Sequence, residues 1–381
     1  MPKVQIVEKS CHREGLKVQR LRNFFIGNGY TLVKDNYEID PTNKYAFPLQ
    51  DLVIDPDADL IVLTTCGFTQ AIEDGDFQAL DIIRKNMKPT AQIIVAGCIV
   101  KINPERVALE FDGPTFDAHS YEKINDILNP VVPFQNFEEP NQMLHTDKFF
   151  IQIQSGCSNR CTYCAIWKTL GKSVSKPIDD VMRELHKGLK EGHRKFYLIG
   201  ECAGQYGRDF DKDLGDLLHE FTQVKNNFTL VLEDVSPKYA LKSFEPLKLL
   251  FEQKKMELFH SPIQSGNDRI LKLMNRRTDM QAFKSMCREL KEIAPESILS
   301  SAVIVGFPSE TREELQDSID YCRDARFDSV ACHMFSARPG AKAATMPDQI
   351  PHEELVARYK IFQSEFGGIT RIDPNQRKFV E

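Results

Sequence analysis

No uninterrupted apolar run in this 381-residue chain approaches the length needed to cross a bilayer, although 41% of its residues are hydrophobic. The opening Met1-Pro2-Lys3-Val4-Gln5 lacks the basic and apolar regions of a secretory signal. Positive charge is not in excess either. The 55 acidic and 49 basic residues give a net −6, which argues against a broad grip on nucleic acid and leaves only a local basic groove open. Spaced cysteine pairs of the kind that hold zinc are also missing. These absences exclude membrane-spanning, secreted and nucleic-acid-coating classes. The expectation is a cytoplasmic enzyme long enough for two domains. Its ten cysteines then point to metal ligation or buried thiols rather than disulfides.

Three of those cysteines are closely spaced. Cys157, Cys161 and Cys164 follow the apolar run Phe149-Phe150-Ile151-Gln152-Ile153 in a CxxxCxxC loop. A strand running into such a loop offers three thiolates to one [4Fe–4S] cluster and leaves the fourth iron without a protein ligand. An open iron suggests chemistry and not only electron storage. The alternative is three incidental thiols, or part of a zinc site. The spacing resembles that of the radical S-adenosylmethionine (SAM) enzymes. The resemblance implies that the amine and carboxylate of SAM chelate the fourth iron, and that an electron from the cluster splits SAM into methionine and a 5′-deoxyadenosyl radical. Cys157, Cys161 and Cys164 are then catalytic as well as metal ligands.

The surrounding pattern is α/β. Val4–Val7, Leu60–Leu63 and Ile93–Ala96 are strand candidates. Helical patterns run from Arg20 to Asn28 and from Asp76 to Met87. Continuous apolar strands alternating with helices favour a parallel sheet covered on both faces. Residues 1–132 are therefore expected to form an N-terminal Rossmann-like domain. Residues 133–148, with Pro133, Pro140 and several acids, are expected to be a linker. From 149 to 381, strand candidates Phe150–Ile153, Lys195–Ile199, Thr229–Leu232, Leu258–Pro262, Leu299–Val305 and Ser329–Met334 alternate with helical patterns at Ile178–Leu189, Glu313–Cys322 and Glu353–Phe366. Six such units suggest a partial (β/α)6 barrel with its chemistry at the C-terminal strand ends.

Cys11, Cys66 and Cys98 each follow one of the first three strand candidates. In a parallel sheet these ends share one edge, so the three can converge. The alternative is three separate buried thiols. Thr64-Thr65-Cys66, Ala96-Gly97-Cys98 and the Cys157 loop, in this order, resemble the radical SAM methylthiotransferases. So do the segments Pro262–Arg276, Ile304–Thr311 and Ser336-Ala337-Arg338-Pro339-Gly340, and the resemblance spans nearly the whole chain. It implies that Cys11, Cys66 and Cys98 hold a second [4Fe–4S] cluster carrying the sulfur to be inserted. It also implies that one SAM methylates that sulfur while a second yields the radical that removes a substrate hydrogen, so that C–H becomes C–SCH3. A reducing electron donor and a sulfur source are implied as partners.

Further candidates lie at the strand ends. Glu201, in Ile199-Gly200-Glu201, resembles the carboxylate with which radical SAM enzymes accept the SAM ammonium, although the methylthiotransferases more often have glutamine there. Glu233, beside Asp234, is placed to touch SAM or substrate, or to be a solvated acid. Gln264 and Ser265 are polar groups at the barrel mouth. Gly306 permits close backbone approach to adenine. Arg338 is placed to bind the SAM carboxylate, to span to the N-terminal domain, or to form a barrel-end salt bridge. Tyr163 and Trp167 flank the cluster loop, against adenine or in the core. Arg269 reads as a surface pair, His12 as a local polar contact, and Cys202, Cys287, Cys322 and Cys332 as structural.

The chain also departs from the family. Beyond Gly340 there is no room for the five strands of the C-terminal TRAM domain, so the expectation is a member without it. Ser10-Cys11-His12-Arg13-Glu14 replaces Gly-Cys-Gln-Met-Asn, and Leu170–Pro177 lacks the family's arginine and glutamate. A peptide or protein side chain is therefore the expected substrate. A tRNA base, helped by Lys168, Lys172 and Lys176, is the alternative. A non-catalytic iron–sulfur redox protein is a third class.

Overall fold

The computed structural model describes residues 1–33, 49, 52–144 and 146–365. Two parallel sheets follow one another along the chain. The first contains β1 (Lys3–Glu8), β2 (Thr31–Leu32), β3 (Leu60–Thr65), β4 (Gln92–Gly97) and β5 (Thr115–Phe116) in the order β2-β1-β3-β4-β5. This is a doubly wound order, and its crevice opens where the winding reverses, between β1 and β3. The strands read as continuous apolar runs because both faces are covered. Val4, Ile6, Val62 and Ile94 meet Val18, Leu21, Phe24 and Phe25 of the helix His12–Gly27. Val7, Ile61, Leu63 and Val95 meet Phe77, Leu80 and Ile83 of the helix Gln70–Asn86. Neighbouring residues of one strand thus enter opposite cores.

The first helix starts at His12, and the pattern expected over Arg20–Asn28 is its continuation. Its first two turns carry few apolar residues, so periodicity misses them. Residues 133–144, expected as linker, are also packed. Phe134 is buried in the N-terminal core, and Phe137 meets Phe24 edge-on at 5.7 Å. Prolines and acids in this stretch mask two anchoring aromatics.

The second sheet contains β6 (Phe149–Gln152), β9 (Lys195–Ile199), β10 (Thr229–Leu232), β11 (Met256–His260), β12 (Ile298–Val305) and β13 (Ser329–Met334), paired in sequence order and all parallel. Because β6 and β13 are both edges, the barrel is open. A small antiparallel ribbon, β7 (Gln154–Ser155) with β8 (Val174–Ser175), brackets the cluster loop. Strand β11 ends before the expected Pro262, which has no N–H to give a ladder. The C-terminal helix is His352–Glu365; Phe366 lies outside the described residues.

Along β6 and β9, Phe149, Ile151, Phe196 and Leu198 enter the core under the outer helices. Phe150, Tyr197 and Ile199 face the other way and meet Leu16 and Met143. The N-terminal helix therefore covers the barrel's inner face on this side, bringing the residues after Cys11 to the barrel mouth. Among the described residues no helix is long and apolar enough to cross a membrane.

Candidate functional site

The CxxxCxxC loop hangs from the β7–β8 ribbon. Gly156, just before Cys157, has φ +78°, and a Cβ there would sit 2.0 Å from the Lys172 carbonyl oxygen, so only glycine lets the chain enter the loop here. The Cys157 N–H donates to Gly171 O at 3.2 Å. Gln154, buried behind the loop, donates to Gly156 O at 2.5 Å and Ser173 Oγ at 2.8 Å while accepting from Cys202 N at 3.0 Å. At the far end, Thr162 donates from its N–H to Met274 O at 3.1 Å and from its hydroxyl to Leu273 O at 2.8 Å. All three loop cysteines are free thiols. A hydrogen bond from the Cys202 thiol lowers Cys157 to about 7, ahead of the opposing effect of burial. Burial, and then the neighbouring Cys161, push Cys164 up to about 12. Among the described residues no three His, Cys, Asp or Glu side chains gather around the position of a single metal ion.

The second triad is assembled by the first sheet. Strands β1, β3 and β4 are adjacent, and Cys11, Cys66 and Cys98 stand at their C-terminal ends, two of them flanking the winding reversal. The Cys66 N–H donates to Asp76 Oδ2 at 2.8 Å, and the Cys98 N–H to Thr65 O at 3.3 Å. Gly97 has φ +107°, and a Cβ would lie 2.5 Å from Thr65 O, so the step from β4 to Cys98 needs glycine. Burial raises all three thiols above their ordinary value; Glu14, and after it Cys66 and Cys11, raise Cys98 further, as Cys11 raises Cys66. Buried, mutually repelling thiols of this kind suit a metal centre, which holds them deprotonated.

The two triads meet across a thin wall. Ala165 and Ile166, directly after Cys164, pack with Cys98, Ile102, Ala118 and Ala341. The Thr169 hydroxyl donates to Cys98 Sγ at 3.9 Å. Arg13, two residues after Cys11, forms an ion pair with Asp234 after β10. Three orphaned polar atoms are buried at this junction with no partner among the described residues: Glu14 Oε2, Glu201 Oε1 and Gln205 Nε2. Buried polar atoms left unpaired call for an explanation, and a polar ligand supplies one.

Other expected site residues sort unevenly. Glu201 is held by Gly156 N–H on Oε2 at 2.9 Å, with Oε1 unpartnered, as an acceptor for an ammonium requires. Glu233 is half-buried after β10, and Gln264, in the left-handed region at φ +72°, is half-buried after β11. The Ser265 hydroxyl faces Ser318 at 3.2 Å and accepts from Asn267 N–H at 3.2 Å, so it braces the start of the helix Asp268–Leu273. At Gly306 the space a Cβ would take is filled by Leu355 Cδ2, and the N–H donates to Glu310 at 2.6 Å, so its close approach in the structure is to the helix His352–Glu365. Of the places expected for Arg338, the structure shows the span to the N-terminal domain. Its guanidinium donates to Gly67 O at 3.1 Å, Gln70 Oε1 at 2.8 Å and Glu73, which makes it the strut to the N-terminal sheet. Tyr163 packs beside Met274 and Phe335, with its hydroxyl accepting from Arg276 at 3.0 Å, which favours the core use of its ring.

Trp167 lies under Arg160 at 4.7 Å, and Arg269 pairs with Glu314 at 2.6 Å. Lys176 pairs with Glu184 at 2.5 Å, which takes one lysine from the presumed basic stripe. Cys287, Cys322 and Cys332 lie in the barrel core, whereas Cys202 sits against the cluster loop, where Asn159 Nδ2 donates to its sulfur at 3.4 Å. The His12 side chain lies outside the described residues. Gln154, Gln205, Arg276 and Glu14 lie at the site without having been singled out. Glu14 and Arg276 had a signal in the sequence, Glu14 as part of the departure around Cys11 and Arg276 as the end of the segment Pro262–Arg276.

Comparison with known proteins agrees with this geometry. Residues 151–322 match the model of the radical SAM superfamily, and residues 50–115 match uncharacterized protein family UPF0004. The chain is 28% identical over 386 aligned positions to the ribosomal protein uS12 methylthiotransferase RimO of Shigella sonnei, covering 95% of this chain and 81% of that protein. The RimO of Salmonella paratyphi B matches to the same extent. In fold, the chain is similar to the radical SAM methyltransferase TsrM of Kitasatospora setae, with TM-score 0.59 and 11% identity over 90% of this chain and 77% of that one. It is also similar to the SAM radical enzyme OxsB, with TM-score 0.55 and 13% identity over 99% of this chain and 56% of that one.

Proposed function

Because this chain belongs to the radical SAM methylthiotransferase family, we propose that it converts one C–H bond of a protein side chain to C–SCH3 using two [4Fe–4S] clusters and two molecules of SAM. The enzyme class, a sulfur-inserting transferase dependent on SAM and iron–sulfur chemistry, follows from the family itself. The two-cluster reading rests on one observation above all: the loop that carries Cys164 packs directly on Cys98. When bound, these groups supply the sulfur, the methyl group and the hydrogen-abstracting radical.

The chain's own residues position and protect. Cys157, Cys161 and Cys164 would hold one cluster, and Cys11, Cys66 and Cys98 the other. Glu201, fixed through Gly156 N–H, presents Oε1 to the SAM ammonium beside Cys157. Ala165, Ile166 and Ile102 form an apolar wall that keeps water from the space between the triads. The matched relatives are named for ribosomal protein uS12, so a ribosomal protein side chain is the first candidate substrate.

Incubating the reconstituted enzyme anaerobically with SAM, dithionite and either ribosomal protein uS12 or bulk tRNA tests the substrate. A mass gain of one methylthio group on uS12 is expected. The same gain on tRNA alone would overturn the protein substrate and leave the reaction class standing. Glu201→Ala removes the acceptor altogether, so the KM for SAM should rise about tenfold at unchanged iron content. An unchanged KM would remove Glu201 from the SAM site.

A further inference from the structure

Arg276 is the one guanidinium that touches a thiol of the cluster loop among the described hydrogen bonds. It lies just past the helix Asp268–Leu273, where Asn275 at φ +58° turns the chain inward. Its backbone N–H closes the turn on Leu271 O at 2.8 Å. Nη1 donates to Tyr163 OH at 3.0 Å and to Cys161 Sγ at 3.9 Å; Nη2 donates to Pro262 O at 2.7 Å. The last bond anchors the side chain to the end of β11, so the orientation toward Cys161 does not depend on the thiol alone. Among the described residues no carboxylate pairs with Arg276. Burial opposes its charge, but Tyr163 and Cys161 more than offset this and hold the guanidinium firmly protonated. A half-buried cation without a carboxylate partner is costly unless an anion stands beside it. Here the groups that face it are the Tyr163 hydroxyl, the Pro262 carbonyl and the sulfur of Cys161, which is a thiolate once it ligates iron.

We propose that Arg276 sets the reduction potential of the cluster held by Cys157, Cys161 and Cys164, by holding a fixed positive charge and a hydrogen bond on the Cys161 sulfur. The inference rests on the reading that these three thiolates hold a [4Fe–4S] cluster. On reduction the cluster takes one electron from a one-electron reductant, which is oxidised by one electron. No bond in the protein forms or breaks, and no proton moves, because the guanidinium stays protonated throughout. The added negative charge appears next to Arg276, so the reduced state gains more from the guanidinium than the oxidised state does. Hydrogen bonds to cluster sulfurs are a recognised means of tuning such potentials, and charge-assisted ones are the stronger kind. Arg276 is thus a positioning residue that acts through Cys161. Tyr163, held on the same Nη1, steadies its orientation.

The test is an EPR-monitored redox titration of the intact, two-cluster enzyme without SAM, comparing wild type, Arg276→Gln and Arg276→Lys. The barrel cluster is identified in parallel samples as the signal that changes when SAM is added. Arg276→Gln should move its midpoint to a more negative potential, leaving about tenfold less cluster reduced at a fixed potential; Arg276→Lys should recover part of the loss. An unchanged midpoint in Arg276→Gln, with only SAM affinity reduced, would overturn the proposal and make Arg276 a SAM ligand. Should Arg276→Gln fail to retain iron, pulsed EPR on the wild type grown with heavy-nitrogen-labelled arginine decides instead. Coupling of an arginine nitrogen to the reduced, SAM-free cluster supports the proposal, and its absence overturns it. A wild type that binds no iron at Cys157, Cys161 and Cys164 would instead mean that the cluster reading itself had failed.

Discussion

Replacing Cys11, Cys66 and Cys98 together by alanine is expected to lower the iron of the reconstituted protein from about eight atoms per chain to about four. Methylthiolation should vanish, while reductive cleavage of SAM persists. The two halves separate because the Cys157 loop is built by the β7–β8 ribbon, Gln154 and Thr162, none of which depends on the N-terminal triad. The N-terminal thiols, by contrast, owe their meeting to three adjacent strand ends. Three alanines there remove sulfur from a buried pocket without placing an unpaired polar group in it, so the fold should tolerate the change. Iron and sulfide analysis, with product analysis by mass spectrometry, reads both outcomes. About four irons in both proteins would mean one cluster only, and sulfur insertion could not be assigned to this chain.

Replacing Arg338 by alanine should cost about 3 kcal/mol of stability, at the lower end for breaking a buried ion pair, because Glu73 keeps Arg106 at 2.9 Å and Asn103 at 2.8 Å. Both Arg338 and Glu73 are buried, and they join the exit of β13 to the helix that follows Cys66. Ser336 reinforces the joint by accepting from Gln70 N–H at 3.0 Å. The functional loss should exceed the loss of stability. With the strut gone, the two triads lose their fixed separation, so SAM cleavage should continue while coupled methylthiolation falls by at least about a hundredfold. Arg338→Lys should not rescue it, because one ammonium cannot reach three acceptors in fork geometry.

Acid should weaken the same joint. Burial pushes the Glu73 carboxyl up, but Arg338 and Arg106 more than offset this and hold it below its ordinary value. Its stabilisation is therefore complete above the unfolded-state value, about 4.3, and is lost as pH falls through the lower folded value. Denaturant titrations of wild type and Arg338→Ala between neutral and acidic pH should converge as Glu73 protonates. Parallel curves down to the lowest pH would remove Glu73 from that role.

Much of this molecule was legible in its sequence. The strands announced themselves as continuous apolar runs because each is covered on both faces, and a buried strand needs no polar alternation. The CxxxCxxC loop was legible because its ligands are local. The placement of Cys11, Cys66 and Cys98 just after strands was enough to expect that they could meet, because a parallel sheet aligns its strand ends whatever their separation along the chain.

Tertiary structure decided what each polar group at those ends faces. Ser265, Gly306 and Arg338 look alike in sequence, as polar or permissive residues beyond barrel strands. Packing turned Ser265 toward a neighbouring helix, filled the space beside Gly306 with Leu355, and drove Arg338 into the other sheet. Gln154 was silent for the opposite reason, since nothing in its local pattern sets it apart and only the folded loop brings Gly156 to it; Arg276 closed a segment that resembles the family, but only the fold brings Cys161 to it. Local spacing and strand periodicity are properties of the chain and survive without the fold. The direction and partner of a side chain depend on elements distant in sequence, and those are set only when the two sheets close on each other.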